Sequence, residues 1–458
     1  MGCPMSRYSN IYNANAMAQE FGEFFRLPLE PHIEIFGIDP ECIKEQANGI
    51  TAKEHFKYGP QLLNRKFKIG FSAVHYDENG SVVPDNCVEV RTDDIGVAPI
   101  LESDRLAGYH VFIGGGQGEK NGKPTFCALG LPFGIFRNKE SLRQGLDAIV
   151  QVHQEIGDRK NRHFARLRYD LKSMGNGDME KGLKEYRSLI EEKIGNFELP
   201  NPDLDIGARN LHHGWIRQQS NGLFAYGAFI ENGRIINGQN GQLKLMVRYI
   251  MDKYPIELMI TPNQDILFTN IPENARADFM ADMQSFGYGK RNDVQYSILR
   301  KKSVACVGLY TCPLAVAESE KFLPKLIDEL ERKGYGAIAE SVGISGCERQ
   351  CSRPATKTIG WIGKGKGMYQ LKLFGSEDAR NQGLPLILDG KLYMRMVPQD
   401  KLADVTAVLF DFYKSNVNPD ETMGYFHRRI GMETIINHLM QNPKTASFMQ
   451  KTHSSDVV

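Results

Sequence analysis

Four cysteines in two close pairs constrain this chain more than any other feature. Five residues separate Cys306 from Cys312, three separate Cys347 from Cys351, and 34 lie between the pairs. The other four of the eight cysteines, Cys3, Cys42, Cys87 and Cys127, stand alone. No signal-peptide pattern opens the chain, so a cytoplasmic location is expected, and there such clustering points to a metal rather than to disulfides. Four thiolates suit tetrahedral zinc or an iron-sulfur cluster, and unligated core cysteines are the third reading. The gap at Cys306 is wide for a zinc ribbon, so spacing favours iron-sulfur.

After Cys312 the pattern predicts a helix over 313–333. Pro313 stands at its first position, Leu314, Ala317, Leu323, Ile327 and Leu330 share a stripe, and Lys333-Gly334 ends it. Cys312 is then expected at a helix N-terminus, where free N–H groups and the helix dipole stabilise anionic sulfur.

The rest of the chain reads as several globular units. Hydrophobic residues at 41% and charged residues at 24% are ordinary for a folded protein, and 458 residues exceed one core. Lys+Arg 56 against Asp+Glu 55 gives no overall field for nucleic acid or a membrane surface, and no apolar run is long enough to span a bilayer. Periodicity predicts a helix over Ala14 to Arg26, strands at 32–38 and 65–74, a strand running into the glycines of VFIGGGQG, and a helix over Lys139 to Ile156. A Pro/Asp/Asn-rich linker near Pro200 closes a first domain, 1–200. A ferredoxin-like half, 205–275, follows: two strands around an Asn232-Gly233 turn, a helix at 242–253 and a strand over 256–271. The third unit, 280–458, carries the paired cysteines, strands around 358–373 and a helix at 400–415.

The spacing of the four cysteines, CPLAVAESE behind Cys312 and CSRP at the end resemble the cluster-binding segment of the siroheme and 4Fe-4S sulfite and nitrite reductases. RKFKIGFS, VFIGGGQG, DRKNRHFARLRYDL, HGWIRQQSNGLFAYGAFIENGRI and ITPNQDILF have counterparts in the same order. The resemblance implies an α+β fold of mixed-sheet siroheme/4Fe-4S reductase domains joined by a ferredoxin-like half domain. It implies two cofactors: a 4Fe-4S cluster held by Cys306, Cys312, Cys347 and Cys351, and a siroheme whose iron shares the Cys351 thiolate. Contacts to siroheme carry over to Arg65, Thr261, Gln264, Ala305, Gly308, Thr311 and Arg353.

Lys66 and Lys68 lie two apart in a predicted strand, which puts both on one face and Arg65 and Phe67 on the other. From the residues alone this is a solvated basic face or an anion site. The family's R-K-F-K strand favours the second, with both lysines catalytic, holding sulfite and supplying protons as its oxygens leave as water. His212 and His213 read as packing residues ahead of a strand. Arg159, Lys160, Arg162, Arg166 and Arg168 read as one basic helical face, either solvated or a dock for an acidic electron donor.

Two features depart from the family. Glu348, Arg349 and Gln350 stand where relatives carry Pro-Asn and a small residue, and the charge is expected either to tune the cluster or to mark a relaxed constraint. The family's N-terminal segment, with a second ferredoxin-like unit and two substrate arginines, is expected to be missing, leaving an unpaired sheet edge. The expected function is six-electron reduction of sulfite to sulfide, fed by a separate ferredoxin or flavoprotein. Nitrite reduction to ammonia by the same site, and a non-catalytic iron-sulfur electron carrier, are the alternatives.

Overall fold

A computed structural model describes residues 1–26, 62–76, 80–120 and 125–449, with the backbone of Thr452–His453. The strand expected at 32–38 and Cys42 lie outside these residues. Three hydrophobic cores organise the chain.

In the first, helix α1 (Ala14–Phe24) starts where the Asn13 side chain accepts the Ala16 N–H, and it lays Phe21 on Phe71 of strand β1 (Ile69–Phe71). A hairpin of β2 (Ala73–Tyr76) and β3 (Val82–Asp85) follows, then β4 (Ile95–Glu102), β5 (Arg105–Ile113) and β6 (Leu131–Phe136). β1 pairs parallel to β4, and β5 and β6 extend the sheet antiparallel. Helix α2 (Lys139–Ile156) begins with an Asn138/Ser141 capping box and buries Leu142, Leu146 and Ile149 at helical spacing. Each such side chain contributes roughly 1.5–3 kcal/mol. Helices α3 (Leu167–Met174) and α4 (Met179–Ile194) close this core, and Tyr186 Oη donates to the Ile149 carbonyl at 2.8 Å.

The basic helical face is not formed. Only Arg168 of its five residues lies in α3; Arg159 to Arg166 precede it, in a turn where the Asp158 carboxylate accepts the N–H groups of Lys160 and Asn161. Arg166 forms a bidentate pair with Asp94, at 2.7 and 2.6 Å, and Arg168 is buried.

The second core is an antiparallel sheet in the order β9-β10-β8-β7, from β7 (Gly214–Arg217), β8 (Phe224–Ala228), β9 (Glu257–Ile260) and β10 (Ile266–Ile271). Helices α5 (Leu243–Lys253) and α6 (Arg276–Ser285) cover it through Met246, Ile250, Phe279 and Met283. The hairpin expected at Asn232-Gly233 falls one strand earlier, at Asn221-Gly222, where the Gln218 N–H meets the Leu223 carbonyl. Asn232 is instead drawn to the third unit, donating to the Glu320 carbonyl, while Arg234 pairs with the Glu320 carboxylate. The strand expected over 256–271 is two strands, β9 and β10, turning at Pro262–Gln264. Among the described residues neither β7 nor β9 has a further strand beside it.

The third core surrounds a larger mixed sheet. Short helix α7 (Ile298–Lys302) leads into β11 (Val304–Ala305), which is parallel to β12 (Val342–Ser345), itself parallel to β13 (Ile359–Gly365). The sheet continues antiparallel through β14 (Met368–Leu373), β15 (Leu384–Leu388) and β16 (Lys391–Tyr393). Helices α8 (Leu323–Arg332) and α9 (Leu402–Asn416) pack on it. α8 begins ten residues later than predicted, with Pro324 in its first turn. Residues 313–318 are non-helical because Val316 and Ala317 give their N–H groups to the Gly346 carbonyl, and Leu314 is exposed. Cys312 is therefore not at a helix N-terminus. Among the described residues no helix is long and apolar enough to cross a membrane.

Candidate active site

The four paired cysteines sit on two loops that the parallel strands β11 and β12 bring side by side. Cys306 follows β11, its N–H donating to the Ile344 carbonyl, while the Gly346 N–H donates to Cys306 Sγ at 3.2 Å. Ser319 Oγ donates to the Cys306 carbonyl at 2.7 Å, and the Cys312 N–H bonds to the Gly308 carbonyl. The contact leaves no room for side chains. A Cβ on Gly346 would lie 2.5 Å from the Ala317 carbonyl oxygen, and one on Gly308, where φ is +56°, 2.4 Å from Ser319 Oγ.

The thiols are mutually within electrostatic reach. Burial raises the Cys347 thiol, and the thiols of Cys351 and Cys306 raise it further against an opposing Arg349 backbone N–H. Partial desolvation raises Cys351, with Cys306 and Cys312 adding to it and Lys66 and Lys68 opposing. A single tetrahedral zinc needs sulfurs roughly 3.8 Å apart. Among the described residues, the group of three or more ligand atoms that lie within 4.8 Å of one another belongs to a different set. No three of these four thiols lie that close together, and the Gly346 N–H aimed at Cys306 Sγ suits a thiolate.

Lys66 and Lys68 reach this site from the first domain, across 285 and 283 positions of sequence from Cys351. They do not lie in a strand: β1 begins at Ile69, and the chain enters it through the Lys68 N–H, which donates to Asp94 Oδ2 at 2.9 Å. The expected alternation persists even so. Both lysines are exposed, while Phe67 packs against the His153 ring between them. Lys66 is lowered below the ordinary lysine range by desolvation, then by Lys68 and Arg166. Lys68 Nζ lies 3.7 Å from the Asp93 carboxylate. Arg65 is lowered by desolvation and by the cations of Arg162, Arg166, Arg349 and Arg168. Arg166 and Arg168, read from sequence as part of a helical face, thus share one cationic neighbourhood with Arg65, and Arg166 with Lys66 as well. The signal for it was in the DRKNRHFARLRYDL segment, but its direction depended on pairing with Asp94.

The other candidate residues divide into two groups. Ala305 ends β11, Gly308 lies in the Cys306 loop, and Thr311 is exposed one residue before Cys312. Thr261, Gln264 and Arg353 meet where the β9–β10 turn approaches the cysteine loops. Arg353 donates to the carbonyls of Pro262 and Val88 and pairs with Glu89 at 2.9 Å. Thr261 Oγ1 accepts the Asp265 N–H, while Gln264 Oε1 is buried without a hydrogen-bond partner among the described residues. Two guanidinium nitrogens of Arg168, Nε and Nη1, are likewise buried and unpartnered there. Such orphaned groups fit a polar ligand bordering the loops. Val307 and Tyr310 are exposed beside them, Tyr310 by 81%, and add an apolar face.

Of the two charges between Cys347 and Cys351, Glu348 is paired, while the Arg349 cation acts on the Cys347 thiol and on Arg65. Glu348 pairs with Lys364, and Gln350 donates to Cys127 Sγ at 2.9 Å and to Glu119, which Lys372 holds at 2.8 Å. The glycines of VFIGGGQG serve close packing. A Cβ on Gly115 would lie 2.2 Å from the Arg91 carbonyl oxygen, and one on Gly116 would strike the Arg168 guanidinium.

Comparison with known proteins gives consistent results. Residues 32–194 match the nitrite and sulphite reductase 4Fe-4S domain, and residues 216–286 match the nitrite/sulfite reductase ferredoxin-like half domain. The sulfite reductase [NADPH] hemoprotein beta-component of Staphylococcus carnosus is 30% identical, over 94% of this chain and 71% of that protein. The protein of the same name from Methylocella silvestris is 32% identical over 81% of this chain and 61% of its own. Sulfite reductase [NADPH] subunit beta of Saccharomyces cerevisiae is 32% identical over 82% of this chain and 25% of its own length. The chain spans about three fifths of the length of the bacterial relatives it matches first, 61% and 62%. Among solved structures, Mycobacterium tuberculosis NirA shares the fold with a TM-score of 0.62 at 22% identity, over 81% of this chain and 64% of that one.

Proposed function

Because the chain belongs to the siroheme and 4Fe-4S nitrite and sulfite reductase family, we propose that it carries the reducing centre of a sulfite reductase, converting sulfite to sulfide in a six-electron reaction. In this reading Cys306, Cys312, Cys347 and Cys351 hold the 4Fe-4S cluster, and Cys351 is the thiolate shared with siroheme. When bound, the two groups supply one-electron relay and an electron-rich iron at which an oxyanion is reduced.

The observation that carries the reading is the opposition of Lys66 and Lys68 to the Cys351 thiol within one electrostatic neighbourhood. Two ammonium groups on a rigid entry to β1 can hold a small anion and give up protons as its oxygens depart as water. The lowered Lys66 is the readier donor, and desolvation and neighbouring cations are what make it so. Arg65 and Arg168 add cations for siroheme carboxylates, with Arg168 Nε and Nη1 buried and unpartnered among the described residues. Gln264, Thr261 and Arg353 border the same space from the β9–β10 turn, and Ala305, Gly308 and Thr311 line it with backbone from β11 and the Cys306 loop. The relatives' names, "hemoprotein beta-component" and "subunit beta", support a separate donor protein such as a ferredoxin or flavoprotein.

The test is a spectrum followed by turnover. Anaerobically reconstituted chain should show siroheme bands together with acid-labile sulfide, and should reduce sulfite with an artificial donor faster than nitrite. Cluster absorption without siroheme would leave an iron-sulfur carrier, and faster nitrite turnover would move the substrate.

A further inference from the structure

A second set of metal-ligating side chains lies in the first core, apart from the cysteine loops. Cys3 precedes the turn Pro4–Tyr8, Asp85 ends β3, Cys87 follows two residues later, and His212 sits just before β7. Three stretches distant in sequence thus converge, and all four side chains are buried, none more than 4% exposed. One ligand atom from each lies within 4.8 Å of all the others. Cys3 Sγ stands 3.2 Å from Asp85 Oδ2 and 3.6 Å from His212 Nε2, and His212 Nε2 stands 3.1 Å from Asp85 Oδ2.

We infer that Cys3 Sγ, Cys87 Sγ, His212 Nε2 and Asp85 Oδ2 form a structural zinc site. A tetrahedral zinc with bonds of about 2.0–2.3 Å spaces its ligand atoms roughly 3.3–3.8 Å apart, close to the distances found. The donors are the zinc set of thiolate, imidazole and carboxylate, four in number with no place left for water, as in closed structural sites. The backbone holds them in position. The Cys87 N–H occupies Asp85 Oδ1 at 3.0 Å and leaves Oδ2 for the ion, and the Asn210 side chain accepts the His212 N–H at 2.8 Å. His212 adopts a left-handed backbone, φ +57°, a conformation uncommon outside glycine. Binding releases the protons of both thiols to solvent and leaves the imidazole neutral. The ion ties the start of the chain to β3 and to the entry of β7, joining the first core to the ferredoxin-like sheet. Read from sequence as packing, His212 becomes a ligand.

The full-length chain, purified without chelator, should contain about one zinc by plasma mass spectrometry in addition to any iron. Zinc should persist in the double variant Cys347→Ala/Cys351→Ala and disappear in Cys87→Ala and His212→Ala. In the same double-variant background, which removes cluster absorption, cobalt should give the visible d–d bands and thiolate charge-transfer band of a tetrahedral site with two cysteine ligands. This measurement does not require the quartet variants to fold. Zinc below about a tenth per chain with no cobalt bands would leave a hydrogen-bonded ion pair and overturn the site. So would zinc lost with the loop cysteines but kept in Cys87→Ala.

Discussion

Glu89→Gln probes the charge network that locks the first domain onto the cysteine-bearing one. Glu89 is fully buried in a left-handed position between β3 and β4; its Oε1 accepts Lys357 Nζ at 2.8 Å and Thr356 Oγ1 at 2.6 Å, and its Oε2 forms an ion pair with Arg353 Nε at 2.9 Å. Burial alone would raise its carboxyl, but Arg353, Lys357 and Arg209 outweigh it and hold the group at about 2, against an ordinary 4.5. A displacement of roughly 2.5 units at 1.36 kcal/mol each corresponds to about 3 kcal/mol in favour of the folded state. Because the folded value is depressed, this stabilisation is complete above pH 4.5 and is lost as pH falls from there towards 2. Glu89→Gln removes it at pH 7 and strands Lys357, which is fully buried and already pushed down to about 8 by that burial. Removing one member of a buried pair costs about 3–5 kcal/mol, so both routes give about 3 kcal/mol. Urea unfolding at pH 7, followed by the fluorescence of buried Trp361 in β13, reads the loss. Adding Lys357→Met should recover much of it, since a chain of similar length then replaces the stranded ammonium. A loss under about 1 kcal/mol, or a double variant less stable than the single one, would refute the coupling.

His427 is buried with both ring nitrogens unpartnered among the described residues, and burial lowers it to about 3. The unfolded chain therefore takes up a proton as pH falls below 6.5, so His427→Phe should gain about 2 kcal/mol over wild type at pH 5 relative to pH 7.5, read by urea midpoints at the two pH values. An equal difference at both would show that the ring does not titrate on unfolding. Lys66→Met and Lys68→Met should each lower kcat/KM for sulfite roughly a hundredfold, with the double variant less than multiplicative, measured with an artificial donor. Since Lys66 is lowered, activity should fall on the alkaline side earlier than an ordinary lysine would allow, and Lys66→Met should remove that limb of the pH profile. Gly346→Ala should lower iron and acid-labile sulfide per chain, because a Cβ meets the Ala317 carbonyl oxygen at 2.5 Å; unchanged iron content would show that the loop yields.

Much of this architecture is written locally. α2 follows from Asn138 and Ser141 at its start and from apolar residues at helical spacing, all within one stretch of chain. The same is true of α5 and of the pair β13 and β14. Local pattern failed where a distant partner competed for the backbone. Residues 313–318 carry a helical stripe, but Val316 and Ala317 give their N–H groups to the Gly346 carbonyl, and Asn232-Gly233 looks like a hairpin turn but is drawn to Glu320. The basic run before α3 reads as an exposed face until Asp94 captures Arg166 and turns it inward.

The cysteine spacing, the two lysines and the collinear family segments are properties of the linear chain, and they alone were enough to nominate the family and the candidate residues. What they could not contain is which distant segments meet. That Lys66 comes within electrostatic reach of Cys351, that Glu89 joins Arg353 and Lys357, and that Cys3, Asp85, Cys87 and His212 share one buried point were decided only on folding. The physical reason is that a covalent spacing limits neighbours within a turn or two. Contacts between residues a hundred or more positions apart depend on sheet order and packing, which no single stretch of sequence specifies.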